Sequence, residues 1–393
     1  MTVRALLVPE AFLPSPGGIA VSAARIMEHL CQAGVEVWVV DFDGRAEFGP
    51  AISVAVDPTR ERTILVTPFF NNDRPVRVPE RVKADVRREV ALRLTSVARS
   101  LGIQLVHSMT VFNAGIIATC VASALGLPHL AGVRGFGRHP FDGFRAECVR
   151  WVLERATAVV VANRSLFELL SVAHPTVAGG ATCIPDSVVA QPYPGLAAGG
   201  RAAIRGELGF SSDTVMITLA ANLREKPLLG SLLRVLASLP GSPVTRLLVV
   251  GRVHPGVRDQ FDEDIGRLGL AHRVALRDWI SQDAVMHWLE ASDIVVMPST
   301  EYGTTNVVLE AMERARCVVA SDVFADAIRH DVNGILVDRL DPSALARALA
   351  TLAANVERRN QVGSAARTWV LAERGPTREA NAYLTLYQRL LES

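Results

Sequence analysis

Two α/β lobes, each a parallel sheet covered by helices on both faces, are what this sequence predicts, and three observations predict them. The chain has 393 residues, nearly half of them apolar, which suits two domains with substantial cores. Short β-branched runs alternate with longer amphipathic or alanine-rich stretches along most of it. Those short runs are continuously apolar rather than alternating, the pattern of strands buried on both faces of a parallel sheet.

Taken in order, the first half offers strands at 5–9, 35–40, 63–67, 105–108, 129–133 and 158–162. The second half offers them at 215–221, 246–250, 274–276, 294–297, 317–320 and 335–337. Between the halves, residues 191–201 carry Pro192, Pro194, Gly195, Gly199 and Gly200 and read as a linker. The domains are therefore expected at 1–190 and 202–376. The stretch 377–393 follows a Gly375-Pro376 break and forms a helix. Its apolar face holds Tyr383, Leu384, Leu386, Tyr387, Leu390 and Leu391, and it is expected to cross back to the first domain. The fold class is α/β, with two Rossmann-like doubly wound domains facing each other across a cleft, where such sheets bind ligands beyond their strand carboxyl ends.

Composition excludes several classes. Charge is nearly balanced, at a formal +1, so nothing asks for nucleic acid. Cys31, Cys120, Cys148, Cys183 and Cys317 are scattered, odd in number and never in Cys-x-x-Cys spacing. That pattern argues against a disulfide scaffold or zinc site, fits a reducing cytoplasm, and makes them small buried apolar residues. A strand begins almost at once, so no signal peptide is evident. The uncharged run 107–133 raises a membrane question, but Gly126 and Pro128 break it; a buried helix followed by a buried strand is the better reading.

The most informative segment follows the strand at 294–297 and runs from Pro298 to Met312. Gly303, Thr304, Thr305 and Asn306 supply turn and cap chemistry, and a helix starts at Val307. Backbone N–H groups at such a start attract an anion. Glu310, one turn in, offers a carboxylate to the hydroxyls of a docked ligand. An anion holder beside a hydroxyl acceptor suits a nucleotide sugar; an ordinary strand–loop–helix unit has the same pattern, and both readings stand at this point. Lysine is scarce: Lys83 and Lys226 are the only two, so Lys226, in a loop after a strand, draws attention as a phosphate point charge.

The ordered set of short motifs resembles the retaining glycosyltransferases of the GT-B fold, family 4 group. Pro298-Ser299, Gly303 and Leu309-Glu310-Ala311-Met312 match that group's signature, preceded by Ser292-Asp293-Ile294-Val295-Val296-Met297. Val318-Val319-Ala320-Ser321 and Val332-Asn333-Gly334-Ile335-Leu336-Val337 resemble the strand and turn that follow. In the first half, Pro16-Gly17-Gly18-Ile19-Ala20 resembles the glycine loop after the first strand, and Ile184-Pro185-Asp186-Ser187-Val188 the turn before the linker. The similarity covers nearly the whole chain and is strongest over 215–337.

The resemblance implies sugar transfer from a nucleoside diphosphate donor with retained anomeric configuration. No cofactor and no metal are implied, so fixed positive groups and helix N-termini must carry the diphosphate charge. Glu310 matches the glutamate that binds the donor's ribose. The partner glutamate's position falls on Tyr302, with Glu301 one residue early; a bulge that lets Glu301 reach the donor sugar is favoured over replacement by Tyr302. Thr304, Thr305 and Asn306 then face the diphosphate. Lys226 and Arg224 resemble its basic pair, again one residue out of register. Gly17 and Gly18 allow close backbone approach. Arg134 stands where many members have a histidine facing the donor sugar, and His139 is near it. Trp279 lies where the nucleobase meets the backbone in the family.

The expectation is a cytoplasmic glycosyltransferase, hexosyl or related, acting on a small natural-product-like acceptor. The alternatives are a cell-envelope or lipid-linked saccharide acceptor, or a sugar-nucleotide-binding subunit without catalysis. A sugar-nucleotide epimerase of the same fold would need acid/base carboxylates and histidines in the cleft. The helical stretch 82–101 is basic on one side, through Arg81 just before it, Lys83, Arg87, Arg88, Arg93 and Arg99. Asp85 and Glu89 weaken a membrane role for it, and peripheral membrane contact is not favoured. A homodimer is left open.

Overall fold

The computed structural model of the chain describes residues 2–13, 17–42, 52–67, 80–135, 143–188, 196–197, 199–221, 223, 226–251, 253–277, 281–300, 303 and 306–392. Contacts divide the chain into two compact units, Met1–Asp186 with Pro376–Ser393, and Ser187–Gly375.

The first unit opens with β1 (Arg4–Val8), α1 (Gly18–Gln32), β2 (Glu36–Phe42), β3 (Ser53–Val56) and β4 (Thr63–Thr67). It continues with α2 (Glu80–Ser100), β5 (Leu105–Ser108), α3 (Asn113–Leu125), β6 (His129–Val133) and α4 (Gly143–Arg155). Then come β7 (Ala158–Val161), α5 (Arg164–Ala173), the one-turn α6 (Pro175–Ala178) and β8 (Thr182–Cys183). The second unit runs α7 (Gly200–Glu207), β9 (Val215–Ala220), α8 (Lys226–Ser238), β10 (Thr245–Val250), α9 (Pro255–Arg267) and β11 (Val274–Arg277). It ends with α10 (Gln282–Ala291), β12 (Ile294–Met297), α11 (Asn306–Glu313), β13 (Cys317–Ser321), β14 (Ile335–Val337), α12 (Pro342–Ala354) and α13 (Val356–Glu373). The chain then returns to the first unit as α14 (Pro376–Glu392).

Both sheets are doubly wound. The second has the order β11-β10-β9-β12-β13-β14, parallel at every pairing, so the winding reverses between β9 and β12. The first has the order β3-β4-β2-β1-β5-β6-β7-β8 and reverses between β1 and β5. Only its β3–β4 edge pair is antiparallel. Strands such as β1, β9 and β13 are buried along nearly their whole length, as their unbroken apolar runs require.

Each predicted strand is present, shifted by at most a residue or two at its ends. Two further strands are present: β3, mostly exposed although Val54-Ala55-Val56 is an apolar run, and β8, two exposed residues long. The uncharged run resolves into α3 followed by β6, and no helix among the described residues is long and apolar enough to cross a membrane. All five cysteines are free thiols. Cys317 is buried as expected, whereas Cys31, Cys120 and Cys148 are half-buried and Cys183 is exposed because β8 forms the sheet edge, a correction to the reading of all five as buried.

Helices α2 and α3 bury Val90, Leu94, Ile117 and Val121 against one face of the first sheet. On the other face α1 and α14 enclose Ile26, Leu30, Tyr383, Leu386 and Tyr387. The Tyr387 hydroxyl reaches His107 Nδ1 of β5 at 2.7 Å. Leu391, expected on that apolar face, is 37% exposed at the frayed end of α14. Of the predicted linker, residues 191–195 and 198 lie outside the described residues, and Gly200 already opens α7.

Candidate active site

In the second unit, the two loops that flank the winding reversal are those following β9 and β12. Open α/β sheets bind ligands at this place, because neighbouring helices depart to opposite faces and leave a crevice between their N-termini. The loop after β12 is tied down at Ser299, whose carbonyl accepts from Ser321 Oγ at 2.5 Å. It ends at Asn306, which opens α11 and is 5% exposed. One turn further, Glu310 is 8% exposed, and Gln282 at the start of α10 donates Nε2 to its Oε1 at 3.0 Å. The carboxylate is thereby oriented at a helix start instead of drifting in solvent. Gly303 lies half-buried in the same loop.

The loop after β9 is laced to the one after β10. Ala221 donates its N–H to Val250, Leu223 pairs with Val253, and His254 donates to the Leu223 carbonyl at 2.9 Å. Gly251 makes this possible: its φ is +122°, and a Cβ there would stand 2.4 Å from the Ala221 oxygen. So braced, the loop delivers the chain to Lys226, the first residue of α8. A pocket of about 310 Å³ at the same sheet edge is lined by Leu228 and Ser231 of α8, Pro298 and Thr300 after β12, and Arg339 after β14.

In the first unit the reversal lies between β1 and β5. Gly17 precedes α1 with φ +129°, a conformation that favours glycine, and Gly18 is the first residue of the helix. Across the reversal, Asn113 opens α3, is 3% exposed, and donates Nδ2 to Glu10 Oε1 at 2.9 Å. Arg87 of α2 in turn donates Nη1 to Asn113 Oδ1 at 3.0 Å. This Arg87–Asn113–Glu10 chain at the carboxyl edge was not singled out in the sequence. The signals that could have found it are Glu10 just beyond β1 and Asn113 beginning the helix after β5.

Arg134, expected to face the donor sugar, sits just beyond β6 with its side chain only 3% exposed, inside an ion cluster. Asp186 accepts from Arg134 and, at 3.1 Å, from Arg25 of α1, while Glu379 of α14 stands 3.4 Å from Arg25 and 3.9 Å from Arg134. Burial works against the Arg134 charge, but Asp186, Tyr383 and Glu379 outweigh it and raise the guanidinium pKa further. Tyr383, beside the cluster, has its hydroxyl pushed up to about 12, first by burial.

The structure thus brings Gly303, Asn306 and Glu310 to one strand end, and Lys226 to the neighbouring helix start. Glu301, Tyr302, Thr304, Thr305, Arg224, Trp279 and His139 lie outside the described residues, as does the Lys226 side chain. Among the described residues, no three His, Cys, Asp or Glu side chains gather as a metal site would need.

A family profile described as Glycosyltransferase Family 4 matches residues 16–178, and one described as Glycosyl transferases group 1 matches residues 216–355. The D-inositol 3-phosphate glycosyltransferase of Streptomyces griseus subsp. griseus is 32% identical over 183 residues, 44% of this chain. The chain spans about two fifths of that relative's length, 39%. Among solved structures, the sucrose-phosphate synthase of Thermosynechococcus elongatus superposes with a TM-score of 0.79 at 19% identity, covering 100% of both chains. HepE of Anabaena, crystallised with UDP and glucose, gives 0.76 at 16% identity, covering 98% of this chain and 100% of its own. With one profile falling on each unit and the same architecture along the whole chain, the protein belongs to the family 4, group 1 glycosyltransferases and carries the GT-B fold.

Proposed function

We propose that the protein transfers a sugar, with retention of anomeric configuration, from a nucleoside diphosphate sugar to a small-molecule acceptor. The observation that carries this reading is the placement of Glu310: a buried carboxylate, held by Gln282, one turn inside the helix that follows β12 at the winding reversal. There it accepts hydrogen bonds from the ribose hydroxyls. The N-termini of α11 and α8 lie on the two strand ends that flank the reversal, and with Lys226 they offset the diphosphate charge that grows as the leaving group departs. Glu301 or Tyr302 meets the donor sugar, and the chemistry runs without a metal. The crystals of HepE that contain UDP or UDP-glucose make UDP-sugars the first donors to test.

In the first unit, Gly17 and Gly18 allow close approach to the backbone at the strand end, and Glu10 and Asn113 offer hydrogen bonds to a ligand docked there. The five free thiols suit a reducing cytoplasm.

Thermal-shift screening against UDP-, GDP-, dTDP- and ADP-sugars tests the reading, because a ligand of the folded state raises its stability by mass action. Calorimetry with the best donor should then show Glu310→Ala and Lys226→Ala binding it at least about tenfold more weakly, a loss of about 1.4 kcal/mol. Unchanged affinity in both variants sinks the site assignment. Donor binding with no transfer to any acceptor and no hydrolysis favours a binding subunit instead.

A further inference from the structure

A groove of about 700 Å³ lies on the helix layer of the first unit, apart from the loops at that unit's winding reversal. Its floor is the outer face of α3, where Ile116, Cys120 and Ala124 recur every fourth residue. One wall is α2, through Ala91 and Leu92, and the other is α4, through Trp151. The floor spans about 12 Å at the helical rise per residue. Leu92, on the rim, is 60% exposed, a large apolar side chain left in water. The volume falls in the range of small-molecule sites.

Charge is distributed unevenly around this groove. The α2 face that borders it carries Arg88, exposed, and Arg87, only 3% exposed, and no carboxylate, while Asp85 and Glu89 fall on another face of that helix, Glu89 paired to Arg93. Where α3 begins, the Phe112 ring is flanked by the Arg87 guanidinium at 5.7 Å and that of Arg145 at 4.6 Å. Glu147 is the one carboxylate in the lining. The groove is thus cationic at the end nearest the sheet's carboxyl edge and apolar away from it. Arg87 joins the two regions, since it also donates to Asn113, which donates to Glu10.

The geometry points to a site for an acidic amphiphile: its alkyl chain lies along Ile116, Cys120 and Ala124, and its anionic group sits among Arg87, Arg88 and Arg145. Charge complementarity selects this occupant over a neutral apolar one. A floor one helix face wide suits a single chain. If the proposed transfer reaction holds, this groove seats the apolar body of the acceptor, and places its head beside Asn113 and Glu10; that clause alone rests on the transferase reading.

Calorimetric titration of the full chain with hexanoate, octanoate, decanoate and dodecanoate, each below its micelle concentration, tests the site. Affinity should rise about fourfold per added methylene, the factor that ~0.8 kcal/mol per buried CH₂ corresponds to. Ala124→Trp fills the groove from an exposed floor position and should abolish the chain-length dependence; Leu92→Gln should weaken it. Arg88→Glu should weaken dodecanoate several-fold and leave decanol unchanged. Affinity that is flat along the series, or unaltered in Ala124→Trp, overturns the site. So does binding to acidic phospholipid vesicles without binding to the monomeric amphiphiles, which means a membrane surface. Sedimentation as a dimer that Ala124→Trp converts to a monomer, with no heat from the amphiphiles, assigns the groove to a second copy and also overturns it. Donor binding is measured in parallel on the unaltered protein: amphiphile binding without nucleotide binding sinks the transferase reading and leaves the groove standing.

Discussion

Asp186 is fully buried and shared by Arg25 and Arg134, so its carboxylate compensates two guanidiniums that have almost no access to water. Deleting one member of such a group leaves charge stranded in a low-dielectric interior, which costs far more than the group contributes when complete. Asp186→Ala should therefore lower stability by about 3–5 kcal/mol in urea unfolding; a loss under about 1 kcal/mol would show that the guanidiniums find other compensation. Arg134 shows where residue-level reading of the sequence stops. Its partners stand 52 and more than 200 positions away in the chain, and no local pattern announces a charge cluster assembled from α1, α14 and the segments after β6 and β8. Glu310 is the opposite case. Its placement is written into a run of consecutive residues, because strand, turn, helix start and carboxylate all lie within one short segment. What that segment does not announce is Gln282, which reaches Glu310 from the preceding helix.

At the scale of elements, α14 is bound to the first sheet by two tyrosines with different tasks. Tyr383 fills space and hydrogen-bonds the Arg134 guanidinium, while Tyr387 holds Nδ1 of His107 through its hydroxyl. Tyr387→Phe keeps the volume and leaves that ring nitrogen without its partner, so it should cost about 1–3 kcal/mol. Tyr383→Ala opens a cavity and should cost about 3–5 kcal/mol. Chemical denaturation compares the two, and a Phe variant as damaging as the Ala variant would contradict the division. The helix was legible from its apolar stripe, and the buried strands from their continuous apolar runs. β8 was not, because a two-residue exposed edge strand needs no apolar run and is defined by the neighbour it pairs with, and β3 was passed over despite its Val54-Ala55-Val56 run. The groove beside α3 escaped for a related reason: Ile116, Cys120 and Ala124 read as ordinary helix residues until α2 and α4 are placed on either side.

For the molecule as a whole, the two units should respond differently to acid. Burial, then the charge of Arg134, lowers the His107 pKa to about 3, and burial lowers that of His129 to about 4, against 6.5 for the free side chain. Below about pH 6.5 the unfolded chain binds protons that the folded first unit refuses, so its stability falls from there toward pH 3–4. In the second unit, burial opposes ionisation of Asp293, yet the Met216 N–H and Arg205 hold its pKa below 3.8. That contribution is present above the unfolded pKa and is lost only as pH falls through the lower folded value. Calorimetric scans between about pH 7 and pH 5 should show the first unit's transition moving down while the second's holds, with His107→Gln flattening the slope. A first transition independent of pH in that window would refute this. The division into units also sets an order of events during synthesis. Ser187–Gly375 is inserted between Asp186 and α14, so the ribosome must make the entire second unit before the last helix of the first exists. At cellular elongation rates that interval is roughly ten to forty seconds. Throughout it, Ile26, Leu30 and Leu7 lack the cover of Tyr383 and Tyr387, so the nascent first unit keeps that apolar face open until α14 is made.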